Sequence, residues 1–272
     1  MKFSLITATL GRVHEIENLL ISLSKQTYKD FELILVDQNS HRFIEEIVRR
    51  YESIISIIYI RSNRRGLSYN RNIGLDVATG EIVGFPDDDC TYSKNVLEDV
   101  KNSFVESNFD FVLLKAKDPI SHINFITREN RILVKNDIIK KCISYNVFTT
   151  LNKNVKFDVQ LGVGSFYGSG EETDYMWTVL DDQSVGGFAK NSTVYHPANL
   201  SSNDSERAYK YGLGFGAIFK KEYIRTHKSS VLFVFIKYLL RSLGGCIFSK
   251  NKVFYYKTFI GRLKGFISFK VN

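Results

Sequence analysis

The 272-residue chain has only three cysteines, Cys90, Cys142 and Cys246. Their odd number, wide spacing and lack of a CxxC pair argue against a disulfide framework and against a zinc site, and leave them as ordinary thiols. No uncharged apolar run reaches the ~18 residues that suggest a membrane-spanning helix. The N-terminal MKFSLITATL turns polar too soon for a signal peptide, so no export is expected and the catalytic part should face the cytosol. There is no internal repeat and no low-complexity segment. Acidic side chains are missing from one whole region: from Tyr223 to Asn272 stand ten Lys or Arg and no Asp or Glu. The net charge of +8 therefore belongs to this tail, which alone carries +10, while the first 222 residues hold 27 basic and 29 acidic side chains and sum to −2.

What is present begins with an alternation. KFSLITATL, FELILVDQN, IISIIYI and EIVGFP read as strands. Between them HEIENLLISLSKQ puts Ile16, Leu19, Leu20 and Leu23 on one helical face, and HRFIEEIVRRYESI does so with Phe43, Ile44, Ile47 and Tyr51. The pattern predicts an α/β fold with a Rossmann-like, mostly parallel sheet flanked by helices. Ligands of such sheets gather at the carboxyl ends of the strands, where Thr9, Asp37 and the triplet Asp87, Asp88, Asp89 all fall. No cation lies within three residues of that triplet. Adjacent carboxylates repel, and a hard divalent cation shared with substrate phosphates relieves them. The competing reading is a solvated turn or a helix cap, and Ser93 is the better-placed cap for SKNVLEDVKNSFVES.

The alternation fades after FDFVLLKA. KFDVQLGVGSFYGSG is loop-like, EETDYMWTVLDD reads as a helix, and SVGGFAKNSTVYHP as a strand whose glycines mark a turn or bulge. The organisation expected is a catalytic domain over 1–222, with a nucleotide-binding half 1–116 and an acceptor half 117–222, followed by a basic amphipathic region over 223–272. In that tail VLFVFIKYLLRSL is broken by Gly244 and Gly245, and KVFYYKTFIGRLKGFISFK follows. An interfacial helix pair fits it, with Lys237, Arg241, Arg262 and Lys264 at anionic headgroups, and a basic subdomain packed on the core is the alternative. YGLGFGA, from Tyr211 to Ala217, lacks the GxGxxG spacing of a dinucleotide site, and close helix packing explains its glycines equally well.

Four segments between Phe3 and His196, LITATLGR, FELILVDQNS, NRRGLSYNRNIGLDVATGEIVGFPDDD and FDVQLGVGSFYGSGEETDYMW, resemble in order and separation the inverting family 2 glycosyltransferases of the GT-A fold. The likeness is greatest to bacterial enzymes of surface-polysaccharide assembly. The resemblance implies that Ala8 and Thr9 lie against a nucleotide base and that Asp37 accepts a hydrogen bond from its imide. Arg71 matches a basic residue near the nucleotide, and Arg65 is more simply a solvated charge. Asp87 would face ribose or metal, Asp89 would ligate Mn2+ or Mg2+, Asp88 would point elsewhere, and His196 stands where some of these enzymes place a further ligand. The acidic pair that supplies the base is Glu171 and Glu172, where Glu-Asp is commoner. Glu172 is the expected base and Glu171 the alternative, because Ser169 and Glu172 have the spacing of a capping box that would occupy Glu172.

The implied reaction moves a sugar from a nucleoside diphosphate, a UDP-sugar, to a saccharide hydroxyl with inversion. The implied setting is the inner face of the cell membrane, with a polyprenyl-diphosphate-linked acceptor, an anionic membrane surface as partner and no nucleic acid. Two rival readings are a sugar-phosphate nucleotidyltransferase, for which LGRVHE supplies too few glycines, and a catalytically silent module binding membrane or nucleic acid.

Overall fold

The computed structural model of the chain describes residues 1–198 and 204–271. They form two compact units: Met1–Arg65, Tyr69–Lys156 and Thr178–Ala198 make the first, Gly66–Ser68, Phe157–Trp177 and Asn199–Asn272 the second.

The first unit is built on one sheet of β1 (Phe3–Thr9), β2 (Phe31–Asp37), β3 (Ser56–Arg61), β4 (Ile82–Gly84), β5 (Thr91–Tyr92), β6 (Phe111–Lys117), β7 (Asn124–Ile126), β8 (Leu133–Val134), β9 (Val147–Thr150) and β10 (Val185–Tyr195). The order is β3-β2-β1-β4-β9-β6-β10-β5, with β7 on β6 and β8 on β10. Strands β3, β2, β1 and β4 are parallel, as are β6 and β10, and β9 runs antiparallel between β4 and β6. β1 and β2 are buried at every position, the mark of central parallel strands covered on both faces. α1 (His14–Ser24) buries the four residues its periodicity picked out. α2 (Phe43–Arg49) is shorter than the apolar run and buries Ile44, Ile47 and Val48, so Phe43, expected on the core face, is 58% exposed. α3 (Leu67–Val77), α4 (Val96–Ser107) and α5 (Ile138–Lys141) complete the set.

Three local expectations are corrected. α4 starts at Val96, and the Ser93 hydroxyl accepts the Thr193 N–H at 3.1 Å instead of capping it; the aspartates lie farther still from the helix start, so they do not cap it either. In β10 the bulge falls between Phe188 and Thr193, downstream of the glycines. Gly186 serves close packing, since a Cβ there would sit 2.5 Å from the Phe111 carbonyl oxygen. The halves 1–116 and 117–222 are not the compact units, because β9 and β10 insert beside β6 and complete the sheet.

At the amino ends of the central strands lies a buried carboxylate, Glu32, 2% exposed. It accepts hydrogen bonds from Lys2 Nζ at 2.7 Å, Ser4 Oγ at 2.6 Å and the Thr79 amide at 2.7 Å. Burial alone would raise its pKa, but these donors hold it down at about 2.

The second unit contains a turn-rich segment over 157–170, α6 (Glu171–Val179) as far as Trp177, and three long helices, α7 (Ser205–Thr226), α8 (Ser229–Phe248) and α9 (Lys252–Ser268). α7 is capped by Asp204, which accepts from the Glu206 and Arg207 amides, and ends at His227 in the left-handed conformation. The domain boundary expected at 222 falls inside this continuous helix. The glycines of YGLGFGA let α7 and α9 touch backbone to backbone: a Cβ on Gly216 would lie 2.1 Å from the Arg262 carbonyl oxygen, and one on Gly265 2.0 Å from that of Leu213. Gly244 and Gly245 do not break α8, which runs on to Phe248, and Gly245 lies under the Tyr255 ring, 2.2 Å from where its Cβ would be.

Candidate active site

In the first unit the carboxyl ends of β1, β2 and β4 bring together the polar groups that the sequence placed there. Thr9 and Asp37 are register partners across β1 and β2. Thr9 Oγ1 donates to Asp88 Oδ2 at 2.9 Å, which ties the triplet after β4 to the end of β1. Ala8 is buried beside it. Asp37 is fully buried, its Oδ1 accepting from the Asn39 amide at 2.8 Å and its Oδ2 from the Tyr59 hydroxyl at 2.6 Å.

The triplet has no cationic neighbour in sequence, but the fold supplies three. Arg71, only 1% exposed, donates from Nη2 to Asp87 Oδ1 at 2.7 Å, and Ser144 Oγ donates to the same oxygen at 3.0 Å. Arg12 forms an ion pair with Asp89 and lies 3.4 Å from Asp88. His196 Nε2 is 3.1 Å from Asp89 Oδ1. Asp88, expected to point elsewhere, is thus engaged by Thr9 and Arg12. The three carboxyls end in different electrostatic states. Burial pushes Asp88 up to about 6, and its neighbours Asp89 and Asp87 add to the rise against Arg12 and Thr9. Burial would raise Asp89 too, but His196 and Arg12 hold it at about 2. The His196 imidazole, lowered by burial, is raised overall by Asp89.

Asp87, Asp89 and His196 each offer one ligand atom, and these atoms lie within 4.8 Å of one another. Two carboxylate oxygens and one imidazole nitrogen at that spacing fit a divalent cation that keeps open positions for phosphate oxygens. His196 Nδ1 is 2.8 Å from the Pro197 carbonyl oxygen, which can only accept, so Nδ1 carries a proton and Nε2 is the nitrogen turned towards the carboxylates, where it donates to Asp89 when protonated and could ligate a cation once that proton leaves. The imidazole stacks on Tyr145, with ring centroids 4.5 Å apart, which fixes its plane.

The second unit holds the other acidic group. α6 begins at Glu171, and the Gly170 carbonyl accepts the first helical hydrogen bond, from the Asp174 amide at 2.9 Å. Gly170 therefore occupies the cap position, and the Ser169 hydroxyl donates to the Tyr211 carbonyl at 3.2 Å, so the capping box expected from Ser169 and Glu172 is not the observed arrangement. Glu171 is 6% exposed and packs against Gly162, whose φ of +92° favours glycine and where a Cβ would lie 3.0 Å from the Glu171 Cδ. Glu172 is half-buried. Asp174 is spoken for by Lys221 Nζ at 2.8 Å, which also holds Asp158 at 2.8 Å.

Arg12, Ser144 and Tyr145 were missed in the sequence. Arg12 had a signal, a cation three residues beyond the end of β1. Ser144 and Tyr145 had none, since they follow a stretch without periodicity and reach the aspartates only through the fold.

The Glycosyl transferase family 2 profile matches residues 4–169. The poly(ribitol-phosphate) β-N-acetylglucosaminyltransferase TarS of Staphylococcus aureus is 34% identical over 121 residues, which are 43% of this chain and 21% of TarS. A Campylobacter jejuni GalNAc(5)-diNAcBac-PP-undecaprenol β-1,3-glucosyltransferase is 34% identical over 91 residues, 32% of this chain and 29% of that enzyme. The chain thus spans well under half the length of these relatives. The crystal structure of S. aureus TarS 1-349 in complex with UDP-GlcNAc superposes with a TM-score of 0.68 at 21% identity, covering 98% of this chain and 81% of that one, which shows a shared GT-A fold. With the profile matched over more than half of its residues, the chain belongs to glycosyl transferase family 2.

Proposed function

We propose that the chain transfers a sugar, with inversion, from a UDP-sugar to a saccharide hydroxyl in cell-surface polysaccharide synthesis. The observation that carries the metal-dependent part is the convergence of Asp87, Asp89 and His196. A bound divalent cation would offset the charge that develops on the departing diphosphate. The nitrogen ligand favours Mn2+ over Mg2+ in this site.

The chain's own residues do the rest. Arg71 and Ser144 orient Asp87, and Tyr145 and Pro197 orient His196. Ala8, Thr9 and Asp37 form the wall for the nucleotide base, and Arg12 is within reach of the charge at the phosphates. Glu172 acts as base: it takes the proton of the acceptor hydroxyl as that oxygen attacks the anomeric carbon, and the bond from that carbon to the diphosphate oxygen breaks on the opposite face. Its partial exposure suits contact with an incoming acceptor better than the buried Glu171. A TarS named for transfer to poly(ribitol-phosphate) and a relative named for an undecaprenol-linked acceptor support an anionic or lipid-linked saccharide. We take it to be polyprenyl-diphosphate linked and met at the inner leaflet by the basic tail. Family membership argues against a nucleotidyltransferase, and the acidic groups at the strand ends together with the Glu171 and Glu172 pair argue against a silent binding module.

A screen of nucleotide sugars for Mn2+-dependent release of nucleoside diphosphate tests the reading, with UDP-sugars expected to respond. Equal release by Asp89→Ala would remove the metal role. Turnover of Glu172→Gln close to that of the parent, with Glu171→Gln inactive, would move the base to Glu171.

A further inference from the structure

α8 and α9 carry one exposed pattern twice. In α8, Phe233, Ile236, Leu240, Leu243 and Ile247 follow one another at alternating steps of three and four, and the same steps recur in α9 from Val253 to Ile267. At ~100° per residue each set is confined to an arc of ~80°. All five positions of α8 are exposed, Phe233 at 73%, Leu240 at 61% and Ile247 at 59%, and in α9 Ile267 is 67% accessible while Ile260 is half-buried. Lys237 and Arg241 border the arc of α8, and Lys264 borders that of α9 in the same rotational sense, where Lys257 is paired with Glu206 of α7 at 2.8 Å.

The opposite face of α8 is already committed. Phe235 is 3% exposed and stacks on Phe266 at 4.5 Å, Tyr238 packs edge-on to Phe215, and the buried Ser242 accepts from Arg262 at 2.6 Å. α8 is long and apolar enough to cross a membrane, with a hydropathy of 1.8. Crossing would strip this packing and carry Lys237 and Arg241 into the hydrocarbon, so an orientation in the plane of the interface is the one the helix can adopt intact. Steps of three and four also suit a helical seam with a second copy. Such pairing would set Lys237, Arg241 and Lys264 of two copies together, and neither α8 nor α9 contains a carboxylate to answer them; Glu206 of α7 is already paired with Lys257.

We propose that the α8 stripe, extended by that of α9, is the docking surface for an anionic lipid bilayer. The apolar residues enter the acyl boundary and the bordering cations meet lipid phosphates. This rests on the reading of a glycosyltransferase working at a membrane and names the face that makes the contact.

The test is flotation of the whole chain with vesicles of phosphatidylcholine, alone or mixed with phosphatidylglycerol. The parent should float with the anionic vesicles. Phe233→Ser/Leu240→Ser/Ile247→Ser, all at exposed positions and checked for an unchanged thermal melt, should lose at least about tenfold in vesicle affinity. Lys237→Gln/Arg241→Gln should lose the preference for anionic over neutral vesicles. If the triple variant floats like the parent, the face is wrong while the membrane reading stands; if the parent itself does not float, that reading falls as well. A concentration-dependent dimer, abolished by the triple variant in the absence of flotation, would assign the face to a second copy and overturn the proposal. Metal-dependent nucleotide release, measured in parallel, separates either failure from loss of the enzyme.

Discussion

The two ends of the same sheet bury carboxylates in opposite ways. At the amino ends Glu32 is a lone acid met by one lysine, two hydroxyls and an amide, and its charged form is fully satisfied. At the carboxyl ends three consecutive acids share Arg12, Arg71 and His196, and Asp88 stays near pKa 6 because burial, reinforced by Asp89 and Asp87, outweighs what Arg12 and Thr9 return to it. The first arrangement stabilises the fold. The second keeps carboxylates crowded at a cost in stability, which is what a site prepared for an additional cation requires.

Asp89→Ala should show the largest effect, a loss of metal-dependent nucleotide release of about 100- to 1000-fold. Glu32→Gln should leave turnover per folded molecule unchanged and lower the unfolding free energy by about 2–3 kcal/mol, read from denaturant melts. The folded carboxyl near 2 lies below an unfolded value of about 4.3, so its contribution is complete above that pH and is lost as pH falls through 2. The parent's stability should therefore drop more steeply than the variant's on acidification over that interval. Should Glu32→Gln impair catalysis as much as stability, the contrast between the two ends would collapse. Asp88→Asn removes the same charge at the other end and should raise stability at pH 7 by about 1 kcal/mol in chelator-treated buffer. A fall in melting temperature would mean that Asp88 is held as firmly as Glu32. Lys2→Met, which deletes the partly exposed partner of Glu32, should cost about 1 kcal/mol or less, and titration with salt should show little further loss in the variant.

Much of this was legible in the sequence, and the limits follow a pattern. Parallel strands buried on both faces, as β1, β2 and β4 are, write themselves as continuous apolar runs and could be read directly, as could the apolar edge strand β3 and the inward residues of α1. Phe43 could not, because an apolar residue at the end of a short helix satisfies the same periodicity as one in the middle. The α7 glycines were open to a close-packing reading, which the α9 backbone against them bears out, but those of α8 were not, because a glycine that admits a neighbouring group and one that ends its own helix are the same letter; what separates them is the ring of Tyr255 on the other side. Ser169 had the right spacing for a cap but donates to Tyr211, forty-two residues away.

The sequence by itself determined the strands and their facing helices, the acids at the strand ends, the Glu171 and Glu172 pair and the concentration of positive charge beyond Tyr223. These are local properties, fixed by period, order and composition. Only the tertiary structure decided which cations answer which aspartates, that burial raises Asp88 above its two neighbours, and that two helices hold apolar stripes outward beside their cations. Those outcomes depend on groups brought together across long loops, and on how burial weighs each charge against its new neighbours, which no pattern along the chain records.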